Sequence, residues 1–315
     1  MKKICMLIPY FRNFPKWFDL YLYSCSRISQ IDFYYFTDCT LPIKKYDNTF
    51  FIKTSFTNYC ELVSKKLKVN FNPTEPYTLV NIRPFLGTIH NNIARKYEFW
   101  GYSDIDLIYG DMSKILNNYN LNKYNLITTH SERVAGHFTI IRTNSKYNNL
   151  GFKIKNWPQK INNEHDFIDE VDFSNLVFPY FRNLRRLWKY IFSKILPNRD
   201  MYYFYQKVHN FMDNNILFWE CYTTPIPENN EYWSYDLKKS SIKAPVRFRG
   251  KKYLNGDSLI YLHFLFFKKT RYRKTNIYWK DNFYQIPDNY DFSKGGIVKI
   301  TNKGIRLDFN NIKHM

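Results

Sequence analysis

The order of apolar and polar positions at the start of the chain predicts a strand, a helix and a second strand. The run from Lys3 to Ile8 is short and mostly apolar, which is typical of a buried parallel strand. From Trp17 to Ile28 the apolar residues recur at helical spacing. A second β-prone run covers Ile31 to Thr37. We therefore expect a βαβ unit here.

The same alternation continues as far as Arg142. Further strands are predicted at Asn48–Ile52, Leu126–Thr129 and Gly136–Arg142, and helices at Asn58–Leu67, from Pro84 through Ile93, and at Met112–Asn118. Asn58 with Glu61 resembles a capping arrangement, and Pro84 suits a first helical turn. Strands separated by helices favour an α/β sheet over a sandwich.

The C-terminal part of the chain is mostly β-prone. Ser258–Phe267 reads as a strand, and Asn276–Ile286 and Gly296–Phe309 as hairpins, the last with a turn at residues 302–304. We expect an α/β fold: one Rossmann-type mixed sheet flanked by helices, with a β-rich C-terminal addition. Residues 1–270 form the main domain, and 271–315 an extension packed on it.

The most informative stretch runs from Phe99 to Asp111, where an apolar strand leads into Asp104 and Asp106 and then a glycine turn. Two ionised carboxylates cannot both be buried without a compensating charge. Mg²⁺ or Mn²⁺, bound by such carboxylates and by substrate phosphates, supplies that charge. The alternative is a surface strand end with solvated acids.

Two loops that follow predicted strands are candidates for a ligand-binding rim. Pro9, Tyr10 and Phe11 follow the first strand, and Thr37 and Asp38 end the second. Open α/β sheets bind ligands beyond the carboxyl ends of their strands. An aromatic ring there can stack on a base, and an Asp can bind a base or ribose. Ordinary loop packing is the alternative interpretation.

Three cationic or imidazole side chains fit a phosphate and metal site. Arg83 is predicted at a helix N-terminus, where phosphates bind. His263 is the lone histidine of an apolar run, and Lys268 follows five residues later. An imidazole on the metal and a lysine on the diphosphate would neutralise a leaving nucleoside diphosphate. A solvated arginine and a core histidine are the alternatives.

Several sequence blocks, in chain order, carry a resemblance to a known family. They are Ile8–Phe11 with Pro15 and Trp17, Phe36–Asp38, Pro76–Tyr77 with Arg83–Pro84 and Gly87, Phe99–Asp106 with Gly110–Asp111, Gly136–Thr139, Phe167–Glu170, and Leu262–Phe264 with Lys268. The chain resembles a bacterial family of glycosyltransferases with a GT-A fold, catalogued as a domain of unknown function. Its site also resembles that of lipopolysaccharide galactosyltransferases of the GT-A class.

The resemblance implies a metal-dependent glycosyltransferase that moves a sugar from a nucleotide-sugar donor, UDP-linked, to a cell-surface glycan or lipid-linked acceptor. It implies Mn²⁺ or Mg²⁺ on Asp104, Asp106 and His263, with Lys268 on the diphosphate. Gly136 and His137 would lie on the acceptor side. Asn81 and Arg83 stand where an Asp and a Lys are usual.

Asp169 and Glu170 form the acid pair near the acceptor under that resemblance. One carboxylate would deprotonate the acceptor hydroxyl in an inverting enzyme, whereas a retaining enzyme needs no such base. Of the two, we expect Asp169 to be the base. An acid pair that merely starts a helix is the alternative.

The formal net charge of +20 indicates an anionic partner or reflects an AT-rich coding bias. A basic aromatic insertion covers residues 178–207, and its segment Arg182–Lys194 reads as either a membrane-surface helix or a core helix with a basic outer face. The alternative functions are a basic nucleic-acid-binding protein or a membrane-surface scaffold without catalysis. The basic residues are spread along the chain without an RNA-binding module, so we expect no specific nucleic acid.

Cysteine usage and hydropathy bear on location. The five cysteines are scattered without a C-x-x-C, which favours a reducing compartment over a disulfide frame. No apolar run approaches the ~18 residues of a membrane span. We expect a cytoplasmic protein, with a peripheral position on the inner face of the membrane if the basic segment docks there.

Overall fold

The computed structural model describes residues 3–130, 133–164, 166–178, 215–218, 224–228, 230–246, 259–268 and 279–308. The predicted basic segment Arg182–Lys194 lies outside the described residues. Within them, no helix has the length and apolar character needed to cross a membrane.

The strands are β1 (Ile4–Pro9), β2 (Ile31–Thr37), β3 (Thr49–Lys53), β4 (Phe99–Ser103), β5 (Leu107–Tyr109), β6 (Leu126–Thr128), β7 (Phe138–Arg142), β8 (Ile216–Phe218), β9 (Trp233–Asp236), β10 (Ser241–Lys243), β11 (Tyr261–His263), β12 (Tyr284–Gln285), β13 (Ile297–Thr301) and β14 (Gly304–Asp308). The α-helices are α1 (Phe18–Ser26), α2 (Phe56–Leu67), α3 (Leu86–Ile89), α4 (Asn91–Ala94), α5 (Asn118–Lys123), α6 (Trp157–Lys160) and α7 (Phe173–Val177). Short 3-10 helices lie at Pro76–Phe85, Met112–Lys114, Leu150–Lys153, Phe264–Phe266 and Phe292–Lys294, and a π-helical turn at Ile168–Asp172.

Within the described residues, a seven-stranded mixed sheet has the order β3-β2-β1-β4-β7-β6-β8. Strands β3, β2, β1 and β4 run parallel, and β7 is antiparallel to both β4 and β6. Strands β1 and β2 with α1 between them form the predicted βαβ unit, so that prediction is confirmed. Their carboxyl ends and that of β4 meet at one edge, where the loop with Asp104 and Asp106 begins.

Side-chain alternation along β1 divides the core into two layers. Ile4, Met6 and Ile8 face the layer that contains α1, while Cys5 and Leu7 face the layer that contains α2. Because successive strand residues point to opposite faces, a fully apolar strand is buried on both sides. The sheet is therefore flanked by helices, as the α/β pattern predicts.

The C-terminal region is rich in strands. Within the described residues a five-stranded sheet has the order β10-β9-β13-β14-β12. Its β13–β14 hairpin pairs Thr301 with Gly304 next to the turn, so the predicted terminal hairpin is confirmed. Strands β9 and β10, which precede residue 270, share this sheet with the C-terminal strands. A separate antiparallel pair, β11 with β5, sets His263 opposite Leu107.

Two local predictions were wrong. Ser55, not Asn58, caps α2: its hydroxyl accepts a hydrogen bond from the Asn58 backbone N–H at 3.1 Å. Arg83 lies in the last turn of the 3-10 helix Pro76–Phe85 rather than at a helix N-terminus. The tighter helix continues through Pro84, which has no N–H to donate.

The β-prone run at Ser258–Phe267 forms only a short strand, β11, within its described part. The Phe264 N–H still donates to the Asp106 carbonyl at 2.9 Å, in the register of the β11–β5 pairing. A 3-10 turn then carries the chain to Lys268. The early end of this strand brings the lysine back to the carboxylate loop.

Candidate metal and donor site

The loop from Asp104 to Asp106 joins β4 to β5 and is fixed through its backbone. The Asp104 N–H donates to the His137 carbonyl at 3.1 Å, and the indole N–H of Trp17 donates to the Ile105 carbonyl at 3.0 Å. The Asp106 carbonyl accepts a hydrogen bond from the Phe264 N–H. Contacts from three parts of the chain therefore set the direction of the two carboxylates.

Asp104, Asp106 and His263 form a three-residue group that could hold a metal ion. Their ligand atoms all lie within 4.8 Å of one another. The side chains of Asp106 and His263 are almost fully buried, at 5% and 4% exposure, whereas that of Asp104 is 31% exposed. The group therefore has a closed side and an open side, and a ligand can reach it past Asp104.

Three buried atoms of this group lack a hydrogen-bond partner within the part of the chain that the structure describes. Asp106 Oδ1 and both ring nitrogens of His263 make no hydrogen bond to any described residue. Buried polar atoms are nearly always paired, so each such orphan needs an explanation. Two carboxylates and an imidazole are suitable ligands for a divalent cation. The residues present thus fit a bound metal ion.

Two cations flank the carboxylates. Lys268 Nζ lies 2.6 Å from Asp106 Oδ2, and Arg83 forms an ion pair with Asp104 Oδ1. Burial raises the pKa of Asp104, and Arg83 only partly offsets this effect. Burial also opposes ionisation of Asp106, but Lys268 and His263 together lower its pKa. Asp106 is therefore the carboxylate that stays ionised more readily.

His137 lies directly behind His263. The two rings stack with centroids 4.4 Å apart and planes at 28°. The Tyr261 hydroxyl lies 2.6 Å from His137 Nε2, and Thr129 Oγ1 lies 3.3 Å from the same atom. Burial, and then the neighbouring His263, hold the pKa of His137 well below its usual range. His137 is thus a neutral ring packed against the candidate ligand.

The acid pair is joined to the carboxylate loop through Arg83. Asp169 Oδ2 accepts a hydrogen bond from Arg83 Nη1 at 2.7 Å. Glu170 accepts one from the Gly136 N–H at 3.2 Å and pairs with Arg133 at 3.3 Å. Burial, and then Asp169, raise the pKa of Glu170. Asp104, Arg83, Asp169 and Glu170 therefore form one continuous polar cluster.

The rim residues divide into two groups. Tyr10 is half-buried. Burial raises the pKa of its hydroxyl, and the nearby Lys268 ammonium group partly offsets this effect. Asp38 is exposed, and its carboxylate accepts a hydrogen bond from the Arg12 N–H at 2.7 Å. Pro9 is half-buried at the end of β1. These three residues lie at or just beyond the carboxyl ends of β1 and β2.

Phe11 and Thr37 point away from the rim. The Phe11 ring packs in the core against Phe56 and Tyr59, and only 4% of the residue is exposed. Thr37 is fully buried, and its hydroxyl accepts a hydrogen bond from the Cys39 N–H. Both side chains are therefore packed in the core and are not placed for direct contact with a donor.

The family model whose description is "Family of unknown function (DUF6625)" matches residues 6–294. The chain belongs to this family. The match covers the carboxylate loop, the acid pair and the His263–Lys268 segment. No curated protein matches the chain.

The chain is also similar to a solved structure of a glycosyltransferase involved in the glycosylation of the major capsid of PBCV-1. The identity is 12% and the TM-score 0.34, with 84% of this chain and 94% of that chain covered.

Sequence reasoning missed three residues that support the site. Thr224 accepts a hydrogen bond from the His263 N–H through its Oγ1 at 2.7 Å and donates its own N–H to the His263 carbonyl at 3.2 Å. The Tyr261 hydroxyl contacts His137, and Arg133 pairs with Glu170. Tyr261 was detectable, because residues two apart on a strand share a face. Thr224 and Arg133 carried no local signal.

Asn81 has a structural role in the described residues. Its amide N–H donates to the Asn163 carbonyl at 2.6 Å, and its carbonyl oxygen accepts from the Ile168 N–H at 3.3 Å. An amide can do both, whereas a carboxylate only accepts. Asn81 therefore fixes the start of the turn that presents Asp169 and Glu170.

Proposed function

We propose that the protein is a metal-dependent glycosyltransferase of the GT-A type that transfers a sugar from a UDP-linked donor to a glycan or lipid-linked acceptor. The observation that carries this proposal is the Asp104–Asp106–His263 group. Asp106 Oδ1 and both ring nitrogens of His263 have no hydrogen-bond partner among the described residues, and cations lie on both sides of the group. This arrangement suits a cation held between protein carboxylates and a substrate diphosphate.

Asp104, Asp106 and His263 would hold the metal ion. Carboxylates alone suit Mg²⁺ and Mn²⁺ equally, but an imidazole ligand favours the transition metal, so we propose Mn²⁺ ahead of Mg²⁺. When bound, the ion would neutralise charge on the leaving nucleoside diphosphate. Asp106 and His263, being buried and held through their backbones, keep the ligand atoms in place without reorganisation.

Lys268 and Arg83 would contact the diphosphate. Lys268 is 38% exposed on its side chain, so its ammonium group can reach a ligand while remaining near Asp106. Arg83 presents a planar guanidinium beside Asp104, a geometry that suits phosphate oxygens. The rim formed by Pro9, Tyr10 and Asp38 would receive the nucleoside, with the Tyr10 ring available for stacking.

The acceptor would approach from the side of Gly136 and Glu170. Glu170 keeps 25% of its side chain exposed, whereas Asp169 keeps 2%. His137, which is 6% exposed, would contribute to this side by packing behind His263 rather than by touching the acceptor. The net charge of +20 supports an anionic acceptor or an anionic membrane surface near it, and with it a cytoplasmic, peripheral location.

The test is binding and hydrolysis of a panel of UDP-sugars with and without Mn²⁺. We expect Asp106→Asn and His263→Ala to abolish Mn²⁺-dependent binding while the thermal unfolding profile stays cooperative. Asp291→Asn serves as the control, because Asp291 pairs with Lys44 on a separate surface. Unchanged donor binding in both site variants would overturn the proposal, as would salt-sensitive binding to random DNA that is tighter than binding to any nucleotide sugar.

A further inference from the structure

Both carboxylate oxygens of Asp169 are engaged. Oδ2 accepts from Arg83 Nη1 at 2.7 Å, and Oδ1 accepts from the Glu170 N–H at 2.9 Å. Its side chain is only 2% exposed. A base that removes a proton from an acceptor must come within hydrogen-bond distance of that hydroxyl. The geometry of Asp169 is that of a group facing the protein.

Arg83 connects Asp169 to the candidate metal ligand. One amino nitrogen of its guanidinium bonds Asp169, and the other bonds Asp104. The fork is planar and rigid, so a shift of one end moves the other. The Tyr102 ring lies beside it, 5.9 Å from Cζ. The position of Asp104 therefore depends on the anchor at Asp169.

Gly136 leaves the space in which this pair meets. A Cβ atom at residue 136 would lie 2.7 Å from Arg83 Nη1 and 2.7 Å from Asp169 Oδ2. Contacts under about 3 Å between a carbon atom and these groups are not tolerated, so something must move. The requirement for glycine here is steric: the Arg83–Asp169 pair fills the space, and Glu170 Oε1 would lie 3.1 Å from the same Cβ atom.

We propose that Asp169 is a positioning residue that acts through Arg83 on Asp104, and that it is not the proton acceptor of the reaction. This inference rests on the proposed function, since Asp104 matters through the metal site. Asp169 offsets part of the Arg83 charge. Without it, a full guanidinium charge faces Asp104 and competes with a divalent cation for the carboxylate. The negative potential at the site falls, and metal binding weakens.

The test is a titration of the full chain with Mn²⁺, in which the free Mn²⁺ is measured by electron paramagnetic resonance. We expect Asp169→Asn to raise the Mn²⁺ dissociation constant at least about fivefold, the lower end of typical coupling between sites. At saturating Mn²⁺ and donor, kcat should return to within a few-fold of the wild-type value. Gly136→Ala should weaken Mn²⁺ binding in the same way without any change of charge.

Asp172→Asn is the matched control, because Asp172 belongs to the same turn but pairs with Lys160. It should leave Mn²⁺ affinity and activity unchanged. An Asp169→Asn protein with normal Mn²⁺ affinity and a kcat that does not recover would overturn the inference and restore Asp169 as the base. Absence of Mn²⁺ binding in the wild type would instead overturn the proposed function. Cooperative thermal unfolding of each variant separates both results from a failure to fold.

Discussion

The imidazole of His263 lies against that of His137, with ring centroids 4.4 Å apart. Both rings are buried, and burial lowers the pKa of each. The contact fixes the plane of a candidate metal ligand whose ring nitrogens have no hydrogen-bond partner among the described residues. Groups that orient a ligand in this way commonly matter nearly as much as the ligand itself.

His137→Ala should therefore lower both stability and metal affinity. Removal of a buried ring leaves a cavity, for which we expect a loss of about 2–4 kcal/mol in the free energy of unfolding. His137→Phe keeps a ring that can stack on His263 but loses the hydrogen bond with the Tyr261 hydroxyl. This loss should lower the free energy of unfolding by about 1 kcal/mol. Denaturant unfolding measures the stability of each variant, and Mn²⁺ titration measures its metal affinity. Equal Mn²⁺ affinity in the two variants would show that the stack does not orient His263.

His90 predicts a defined pH dependence of stability. Burial, and then Lys66, lower the pKa of His90 to about 3. Its Nε2 lies 2.8 Å from the Tyr59 hydroxyl, and its ring stacks on Phe36 at 3.8 Å. In the unfolded chain a histidine titrates near 6.5. Between these two values the unfolded state binds the extra proton, so stability falls as the pH is lowered.

His90→Phe removes this titration while keeping a ring on Phe36. Between about pH 6.5 and 4, the wild type should lose up to about 1.4 kcal/mol per pH unit through this residue. The variant should show a correspondingly flatter curve of unfolding free energy against pH. His137 and His263 contribute with the same sign in both proteins and cancel in the difference. Parallel curves for the two proteins would contradict the assignment.

The sequence predicted the sheet well where a strand is buried on both faces, because β1 then reads as a continuous apolar run and β2 as a mostly apolar one. It also pointed to the members of the candidate metal group, since Asp104, Asp106 and His263 stand in apolar stretches of the sequence, where ionisable groups are costly to bury. Their closeness follows from the β11–β5 pairing, a long-range contact that no local pattern encodes.

The link from Arg83 to Asp169 could not be predicted. It depends on a 3-10 helix that runs through Pro84 and on Gly136, where a Cβ atom would collide with Arg83 and Asp169 and crowd Glu170. Phe11 was also misleading, because its ring packs in the core against Phe56 and Tyr59 instead of lying at the rim.

The capping of α2 is a local test of the corrected helix start. Ser55 is exposed and has extended backbone angles, and its hydroxyl accepts the Asn58 N–H. Ser55→Ala should cost about 1 kcal/mol of unfolding free energy. Asn58→Ala is the matched control: only its backbone takes part, so this change should be neutral or slightly stabilising. If denaturant unfolding showed a larger loss of stability for Asn58→Ala than for Ser55→Ala, Asn58 would be the capping residue.

Lys268 offers a test in which two affinities should move in opposite directions. Its ammonium group lies 2.6 Å from Asp106 Oδ2, so it competes with a divalent cation for that oxygen while supplying positive charge for a diphosphate. Lys268→Met should therefore tighten the binding of Mn²⁺ alone, and weaken the binding of UDP at saturating Mn²⁺ by about tenfold, the loss of one charge-assisted hydrogen bond. Electron paramagnetic resonance of free Mn²⁺ measures the dissociation constant of the metal ion, and calorimetric titration measures that of UDP. Lys44→Met, which breaks the lysine pair with Asp291 at a separate surface, should change neither. If Lys268→Met weakened both in proportion, the lysine would be supporting the fold of the carboxylate loop rather than contacting the donor.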